Sequence, residues 1–229
     1  FVFLHPLDVK NYGARGRNKT DRTDSQFIAD YAYTMREKLE PSTPEAPAIK
    51  RLRQLRNERQ MAVRSRTAYI NLSKTFSDAD TTKRIGKMIA VFDTQVRLIE
   101  EEIKKVTASD EAISRNYRLL VSIPGIGMVN AITTIIATGN FTRFQTARQY
   151  AKGDHVSKTG HNDIKATLTE GARSAITHDR QIKAYYERKR AEGKSHGCVL
   201  NAVKFKLICR MFAVTTRQTP YVNTDKYLS

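Results

Sequence analysis

Two aspartates three positions apart, Asp21 and Asp24, have the residue type and the spacing that most directly suggest chemistry in this sequence. They stand in the segment NKTDRTDSQFIADYAY (18–33), where apolar residues begin to recur at helical spacing. Carboxylates at positions i and i+3 share one face of a helix, so both can reach the same divalent cation. Magnesium prefers such oxygen ligands and keeps water molecules that a phosphate can replace. The pair therefore predicts part of a magnesium site, while a second interpretation is that the acids only balance the dipole at the helix start.

The element that must position these carboxylates is an amphipathic helix predicted from Asp21 to about Leu39. Its apolar positions are Phe27, Ile28, Tyr31, Ala32 and Met35. Before it, FVFL (1–4) is typical of a short strand and is followed by a loop rich in glycine, arginine and asparagine up to Thr20. After it, the three prolines of EPSTPEAP (40–47) predict a linker.

Two long helices are predicted next, and together they form an arm. The first, from about Ile49 to Leu72, is rich in arginine: Arg51, Arg53, Arg56, Arg59, Arg64 and Arg66. The second carries an apolar heptad seam: Ile85, Ile89, Phe92, Val96, Ile99, Ile103 and Val106. An antiparallel arm, a dimerising coiled coil and ordinary packing in a bundle all fit this pattern. An arm with an arginine-rich outer face would suit a nucleic-acid backbone or a second protomer.

The segment LLVSIPGIGMVNAITTIIATG (119–139) places Gly125 and Gly127 between two apolar helices. Glycines let a partner approach the backbone, and amides at the start of a helix can bind a phosphate oxygen. The pattern is similar to the hairpin of helix-hairpin-helix modules, which hold DNA by its backbone, although a tight turn without a ligand fits equally well. The last apolar helix is predicted to lie at the centre of the core, through Val203, Leu207, Met211 and Phe212.

The charge of the chain narrows the class of partner. Of its 229 residues, 40 are Lys or Arg and 23 are Asp or Glu, which gives a net charge of +17. A surplus of this size favours a nucleic-acid partner. The sequence has no apolar run long enough for a membrane helix, so we expect a soluble chain with no membrane partner. Its two cysteines, Cys198 and Cys209, build neither a metal site nor a disulfide framework, which fits a reducing cytosol.

A set of motifs in order carries a resemblance to a known family. SIPGIG, GNFTRFQTARQYA, SKTGHNDIKATLTEGARSAITHD, AYYERKRAEGK and AVKFKLICRMFAV resemble the C-terminal domain of the transposases of insertion-sequence family 110, relatives of the 116 and 902 elements. KTDRTDSQFIADYAY resembles the end of the family's RuvC-like (RNase H-like) domain. The resemblance implies a chain that is mainly α as it stands and α+β overall. Its parts would be the C-terminal part of a RuvC-like domain (1–47), a helical or coiled-coil arm (48–113), and an α-helical transposase domain with a helix-hairpin-helix-like element (114–229).

The resemblance also implies an activity and partners. It implies a DNA recombinase that moves a mobile element by strand exchange between donor and target double-stranded DNA, guided by a structured RNA. Asp21 and Asp24 match the last two acids of the family's four-acid Mg²⁺ site, and the other two are expected upstream of Phe1. Because two duplexes must be joined at once, a homo-oligomer is expected, either a dimer or a tetramer. The expected location is the cytoplasm of a prokaryote, in association with the nucleoid.

The family's nucleophilic serine follows the RQYA motif and forms a covalent bond to DNA, but here Lys152 follows Ala151 directly. We expect that serine in a segment between these two residues that this sequence lacks; the alternative is a derivative without catalytic activity. Two other functions stay open, a RuvC-like metal-dependent nuclease on branched DNA and a non-catalytic nucleic-acid-binding scaffold. The positions predicted to contact nucleic acid are Lys19, Arg22, Gly125, Gly127, Arg143, Ser157, Lys158, Lys165 and Arg173.

Overall fold

The computed structural model describes residues 2, 4, 6–12, 20–39, 44–153 and 162–223. Within these ranges all regular structure is α-helical and no strand is present. The prediction of a mainly α chain is therefore confirmed, whereas the β component of a RuvC-like remnant has no support among the described residues. The chain divides into two compact units, Phe1–Glu45, here called the N-terminal unit, and Ala46–Ser229, here called the arm-and-core unit. The predicted boundary between residues 113 and 114 stays a prediction.

The start of the N-terminal unit differs from the sequence prediction. Helix α1, Pro6–Tyr12, occupies part of the segment that was predicted as a loop. The physical reason is local, because a proline suits the first position of a helix and Asp8 in the first turn balances the helix dipole. Of the predicted strand at residues 1–4, Val2 and Leu4 are not in a strand, and the other two residues lie outside the described ranges.

Helix α2, Asp21–Thr34, confirms the predicted amphipathic helix, although it ends earlier than expected and is followed by a turn. Its contact with α1 is polar at one point and aromatic at another. The Tyr12 hydroxyl and the Thr34 Oγ1 lie 2.7 Å apart, and the rings of Tyr12 and Tyr31 meet edge to face at 5.3 Å. The helix buries none of its residues, and Phe27 and Ile28 stay exposed.

The arm-and-core unit begins with two long helices, α3 (Pro47–Ser73) and α4 (Ala79–Ser109), which pack side by side. Pro47 stands at the start of α3, and the Asp78 carboxylate caps α4 by accepting a hydrogen bond from the Thr81 amide at 2.7 Å. The heptad seam faces α3 and includes the buried Ile85, Ile99 and Ile103. The antiparallel helical arm is therefore present within this chain.

Ion pairs between the two helices run in antiparallel order. Arg51, near the start of α3, pairs with Glu102 near the end of α4, while Arg66 pairs with Asp93 farther along the arm. Between them the Arg59 guanidinium lies 2.7 Å from the Glu100 carboxylate. Arg51, Arg59 and Arg66, which were predicted to line the outer face, thus turn toward α4. The arm presents less unpaired positive charge to a partner than the sequence pattern indicated.

Six shorter helices complete the unit, and most of them pack against the last one. They are α5 (Glu111–Val121), α6 (Met128–Thr138), α7 (Ala147–Gly153), α8 (Asn162–His178), α9 (Arg180–Ala191) and α10 (His196–Arg217). Helix α10 contacts α5, α7, α8 and α9, and its Val203, Leu207 and Met211 are fully buried. This confirms the prediction that the last apolar helix is the core element. The inner half of the arm shares that core through Leu52, Leu55 and Ile103.

A buried ion pair joins α9 to α10. The Asp179 carboxylate, 1% exposed, caps α9 by accepting from the Ile182 amide at 2.9 Å, and it also accepts from Arg210 at 2.5 Å. Arg210 in turn lies over the Tyr221 ring at 4.6 Å. One carboxylate therefore holds the start of α9 against α10.

Across the described part of the chain, no helix has the length and apolar character needed to cross a membrane.

Candidate active site and nucleic-acid interface

Asp21 and Asp24 both lie in the first turn of α2, and both are exposed. The helix start is capped by threonines: the Thr20 hydroxyl accepts from the Thr23 amide at 3.2 Å, and the Thr23 hydroxyl accepts from the Thr20 amide at 3.0 Å. This reciprocal arrangement is a capping box. Because the threonines make the cap, neither aspartate carboxylate is needed for that hydrogen bonding. The two carboxylates share one helix face at the protein surface, as the spacing predicted.

The described residues supply two ligands to a metal at this position. Asp21 and Asp24 offer the hard carboxylate oxygens that Mg²⁺ prefers. In the ranges that the structure describes, no group of three or more His, Cys, Asp or Glu side chains is arranged to hold a metal ion. Two carboxylates alone make an incomplete site, so the donor type fits magnesium but the donor number does not. The metal assignment of this pair stays a prediction.

The structure describes only some of the residues predicted to contact nucleic acid, among which Lys19 and Arg22 were predicted beside the aspartates. Arg22 lies between them in the first turn of α2 and is exposed. Lys19, Ser157 and Lys158 lie outside the described residues. Arg143 is exposed beyond the end of α6, where its side-chain methylenes lie over Gly139 and its amide donates to the Thr138 carbonyl at 3.0 Å.

The two glycines of the SIPGIG turn have different surroundings. Gly125 has a φ of +90°, and a Cβ built on it would lie 2.5 Å from the Gly171 carbonyl oxygen and 2.7 Å from the Ala175 Cβ. Only glycine allows α8 to approach this turn so closely. Gly127 is the N-cap of α6, is exposed and has nothing within 4 Å of a built Cβ. Close helix packing accounts for Gly125. The backbone at Gly127 is open, and its phosphate contact stays a prediction.

Lys165 and Arg173 lie on α8 and are exposed, as a nucleic-acid contact requires. Arg173 also pairs with the exposed Glu170 at 2.7 Å. A third cation, Lys204, lies on α10, the helix that packs against α8. Burial lowers the pKa of Lys204, and the positive charges of Lys165 and Arg173 lower it further.

These three cations form the basic cluster Lys165–Arg173–Lys204. Like charges held together on two packed helices raise the local positive potential and attract an anion. The sequence pattern could not reveal Lys204 as a member, because its neighbours stand about 30 and 40 positions earlier in the chain and meet it only in the fold.

Two family models match the chain, in order. A model of DEDD-type IS110 transposases matches residues 1–76, which include α2 and the aspartate pair. A model described as "Transposase IS116/IS110/IS902 family" matches residues 117–153, which include the SIPGIG turn, α6 and α7.

Two curated proteins are similar to the chain. The "Transposase for insertion sequence element IS1111A" of Coxiella burnetii is 26% identical over 275 positions, covering 95% of this chain and 72% of that protein. The "Insertion element IS110 uncharacterized 43.6 kDa protein" of Streptomyces coelicolor is 25% identical over 142 positions, covering 54% of this chain and 35% of that protein. The alignment with the Coxiella protein is longer than the 229 residues of the chain, so that protein has internal residues with no counterpart here.

Proposed function

Because the chain belongs to the transposase family of insertion elements IS110, IS116 and IS902, we propose that it catalyses DNA strand exchange during the transposition of a mobile element. The observation that carries this proposal is the order of the two matched segments: one contains the aspartate pair and the other contains the SIPGIG turn with α7. The net charge of +17 supports a nucleic-acid partner. The enzyme class is that of the DNA transposases.

Asp21 and Asp24 are proposed to be two carboxylates of a Mg²⁺ site whose remaining ligands are not among the described residues. When bound, such an ion would stabilise negative charge that develops on a phosphate oxygen. The exposed first turn of α2 lets both carboxylates face a nucleic-acid backbone. Arg22, which lies between them, would contact that backbone as well.

The strand exchange is proposed to pass through a covalent bond between protein and DNA. A serine Oγ attacks phosphorus, the P–Oγ bond forms, and a sugar oxygen leaves and takes up a proton. A hydroxyl of the second duplex then attacks the same phosphorus and releases the serine. The serine is expected in a segment of the whole protein that follows Ala151 and that the 229-residue sequence does not include.

The basic cluster Lys165–Arg173–Lys204 is proposed to hold a nucleic-acid backbone. Phosphate contacts of this kind position a duplex without reading its sequence. The proposed partners are donor and target DNA, a structured guide RNA and further copies of the chain. A dimer or tetramer would bring two duplexes together.

A non-catalytic nucleic-acid-binding scaffold is the second candidate. It is favoured by one specific observation: the RQYA motif runs directly into Lys152, with no serine segment between them.

One experiment separates these candidates. The protein is incubated with radiolabelled donor and target duplexes, Mg²⁺ and the RNA transcribed beside its gene, then denatured and run on a gel. We expect joined DNA product and a labelled band of protein with DNA attached. Cut ends without a joined product or an attached band would identify a metal-dependent nuclease and overturn strand exchange. Retarded DNA before denaturation, with no product after it, would identify the scaffold.

A further inference from the structure

A groove of about 560 Å³ lies between α9 and α10, on a part of the surface that the proposed function does not use. Its wall includes Tyr185 from α9 and Phe205, Lys206 and Cys209 from α10. The groove lies entirely within the arm-and-core unit.

The two helices that form the groove carry strong positive charge. Helix α9 has five basic residues and one acidic residue, and α10 has four basic residues and no acidic residue. Such a local surplus attracts an anionic partner. Duplex DNA, a single strand and an acidic protein would all satisfy the charge alone, so the apolar part of the groove must decide among them.

Phe205 supplies that apolar part. Its side chain is 41% exposed although it belongs to a helix whose other face forms the core of the unit. A phenylalanine ring open to water beside several cations has the composition of a platform on which a nucleic-acid base stacks. Bases are available for stacking in unpaired nucleotides but are covered by their neighbours inside a duplex.

The other ring of the groove has a different role. The Lys206 ammonium lies 4.3 Å from the centre of the Tyr185 ring, and the Arg188 guanidinium lies 5.7 Å from it. The cation–π contact holds the Lys206 charge at the groove, whereas Arg188 does not line the groove and also pairs with Glu192 at 3.9 Å. Tyr185 therefore positions cations, and the ring of Phe205 is left for a base.

Arg210 at the end of the groove serves the fold instead. Its charge is paired with the buried Asp179 carboxylate, and its guanidinium lies over Tyr221. Lys206 has no such carboxylate partner among the described residues. Burial raises the pKa of the Cys209 thiol, and the positive charges of Lys206 and Arg148 oppose that rise. Lys206 is thus the cation that a phosphate in the groove would meet.

We propose that the α9–α10 groove binds unpaired nucleotides of a single-stranded nucleic acid, with a base stacked on Phe205 and a backbone phosphate beside Lys206. The proposal rests on the proposed function only in that the partner is a nucleic acid. Single-stranded DNA exposed during strand exchange and an unpaired loop of RNA share this chemistry.

The test measures the binding of three fluorescent probes by anisotropy: oligo(dT) and oligo(U) of about 12 nucleotides, and a DNA duplex of about the same length. The variants are Phe205→Leu, which keeps an apolar side chain but removes the ring, and Lys206→Gln. The matched control is Phe76→Leu, because Phe76 is 45% exposed in the turn between α3 and α4.

We expect Phe205→Leu to weaken binding of at least one single-stranded probe by about 5-fold or more, the effect of losing one base–ring stack. Lys206→Gln should reduce the slope of log K against log salt by about 0.7, as expected for one lost phosphate contact on a single strand. Phe76→Leu should match the unchanged protein, and the duplex should bind all variants alike. The more affected of the two single strands identifies DNA or RNA as the source of the nucleotides.

Equal binding of single strands by Phe205→Leu and the unchanged protein would overturn the groove assignment, and so would an equal loss for the duplex. Strand exchange in the gel experiment would still stand in either case, so the two failures are distinguishable. A second measurement needs no change in the groove: in a Cys198→Ser variant, maleimide labelling of Cys209 should slow when oligo(dT) or oligo(U) is bound. An unchanged labelling rate at saturating oligonucleotide would also overturn the proposal.

Discussion

Replacing Gly125 with alanine should lower the free energy of unfolding of the arm-and-core unit by about 2–5 kcal/mol. Two costs combine. An alanine at a φ of +90° adopts a left-handed conformation that disfavours a Cβ by about 1–2 kcal/mol. The new Cβ would also lie 2.5 Å from the Gly171 carbonyl oxygen and 2.9 Å from the Ala175 amide nitrogen, which are backbone atoms of α8. Overpacking against atoms that cannot rotate away costs about 1–3 kcal/mol.

The assay is urea unfolding followed by the circular dichroism of the helices, with the free energy taken from the midpoint and slope. Gly127→Ser is the matched control two residues away, since nothing lies within 4 Å of a built Cβ and the φ of −92° suits any residue. A serine at this N-cap should leave the stability unchanged or raise it by about 0.5 kcal/mol, because its hydroxyl can cap α6. A Gly125→Ala protein within about 0.5 kcal/mol of the original would refute the packing explanation.

Two further predictions concern charged side chains. Arg210→Ala should cost about 3–5 kcal/mol of stability because it leaves the Asp179 carboxylate buried without its partner. Arg173→Ala breaks only an exposed pair with Glu170 and should cost no more than about 1 kcal/mol. Equal urea midpoints for the two variants would contradict this prediction. Lys204→Gln should raise the melting temperature in low salt by relieving like-charge repulsion worth a few tenths of a kcal/mol, and the gain should disappear in about 0.5 M salt. A gain that survives high salt would show that repulsion is not its source.

The helices of the arm could be predicted because their signals are periodic and local. The heptad steps from Ile85 to Val106 identified α4, and Ile99 and Ile103 are buried as that seam requires. Helix α1 was missed although Pro6 and Asp8 carry a signature of a helix start. The strand-like FVFL before it and the glycines after it outweighed that signature.

The parts of the site that escaped prediction depend on contacts between distant segments. Gly125 is recognisable as a turn residue, but its reason for being glycine is α8, which begins at residue 162. Lys204 joins Lys165 and Arg173 only because α8 packs on α10. The Asp21 and Asp24 pair was predictable as a spacing on one helix face, whereas its metal ligation depends on groups that no local pattern supplies.

The central claim is tested most directly by strand exchange in a variant that lacks both carboxylates, Asp21→Asn with Asp24→Asn. Its control is Asp30→Asn, an exposed acid of the same helix that lies on a different face from the pair. The account predicts that the double variant loses joined product at least about 100-fold, since a metal contributes several kcal/mol to such reactions, while it still binds nucleic acid and the control keeps full activity. Strand exchange by the double variant at the rate of the unchanged protein would contradict the assignment of these aspartates to the reaction.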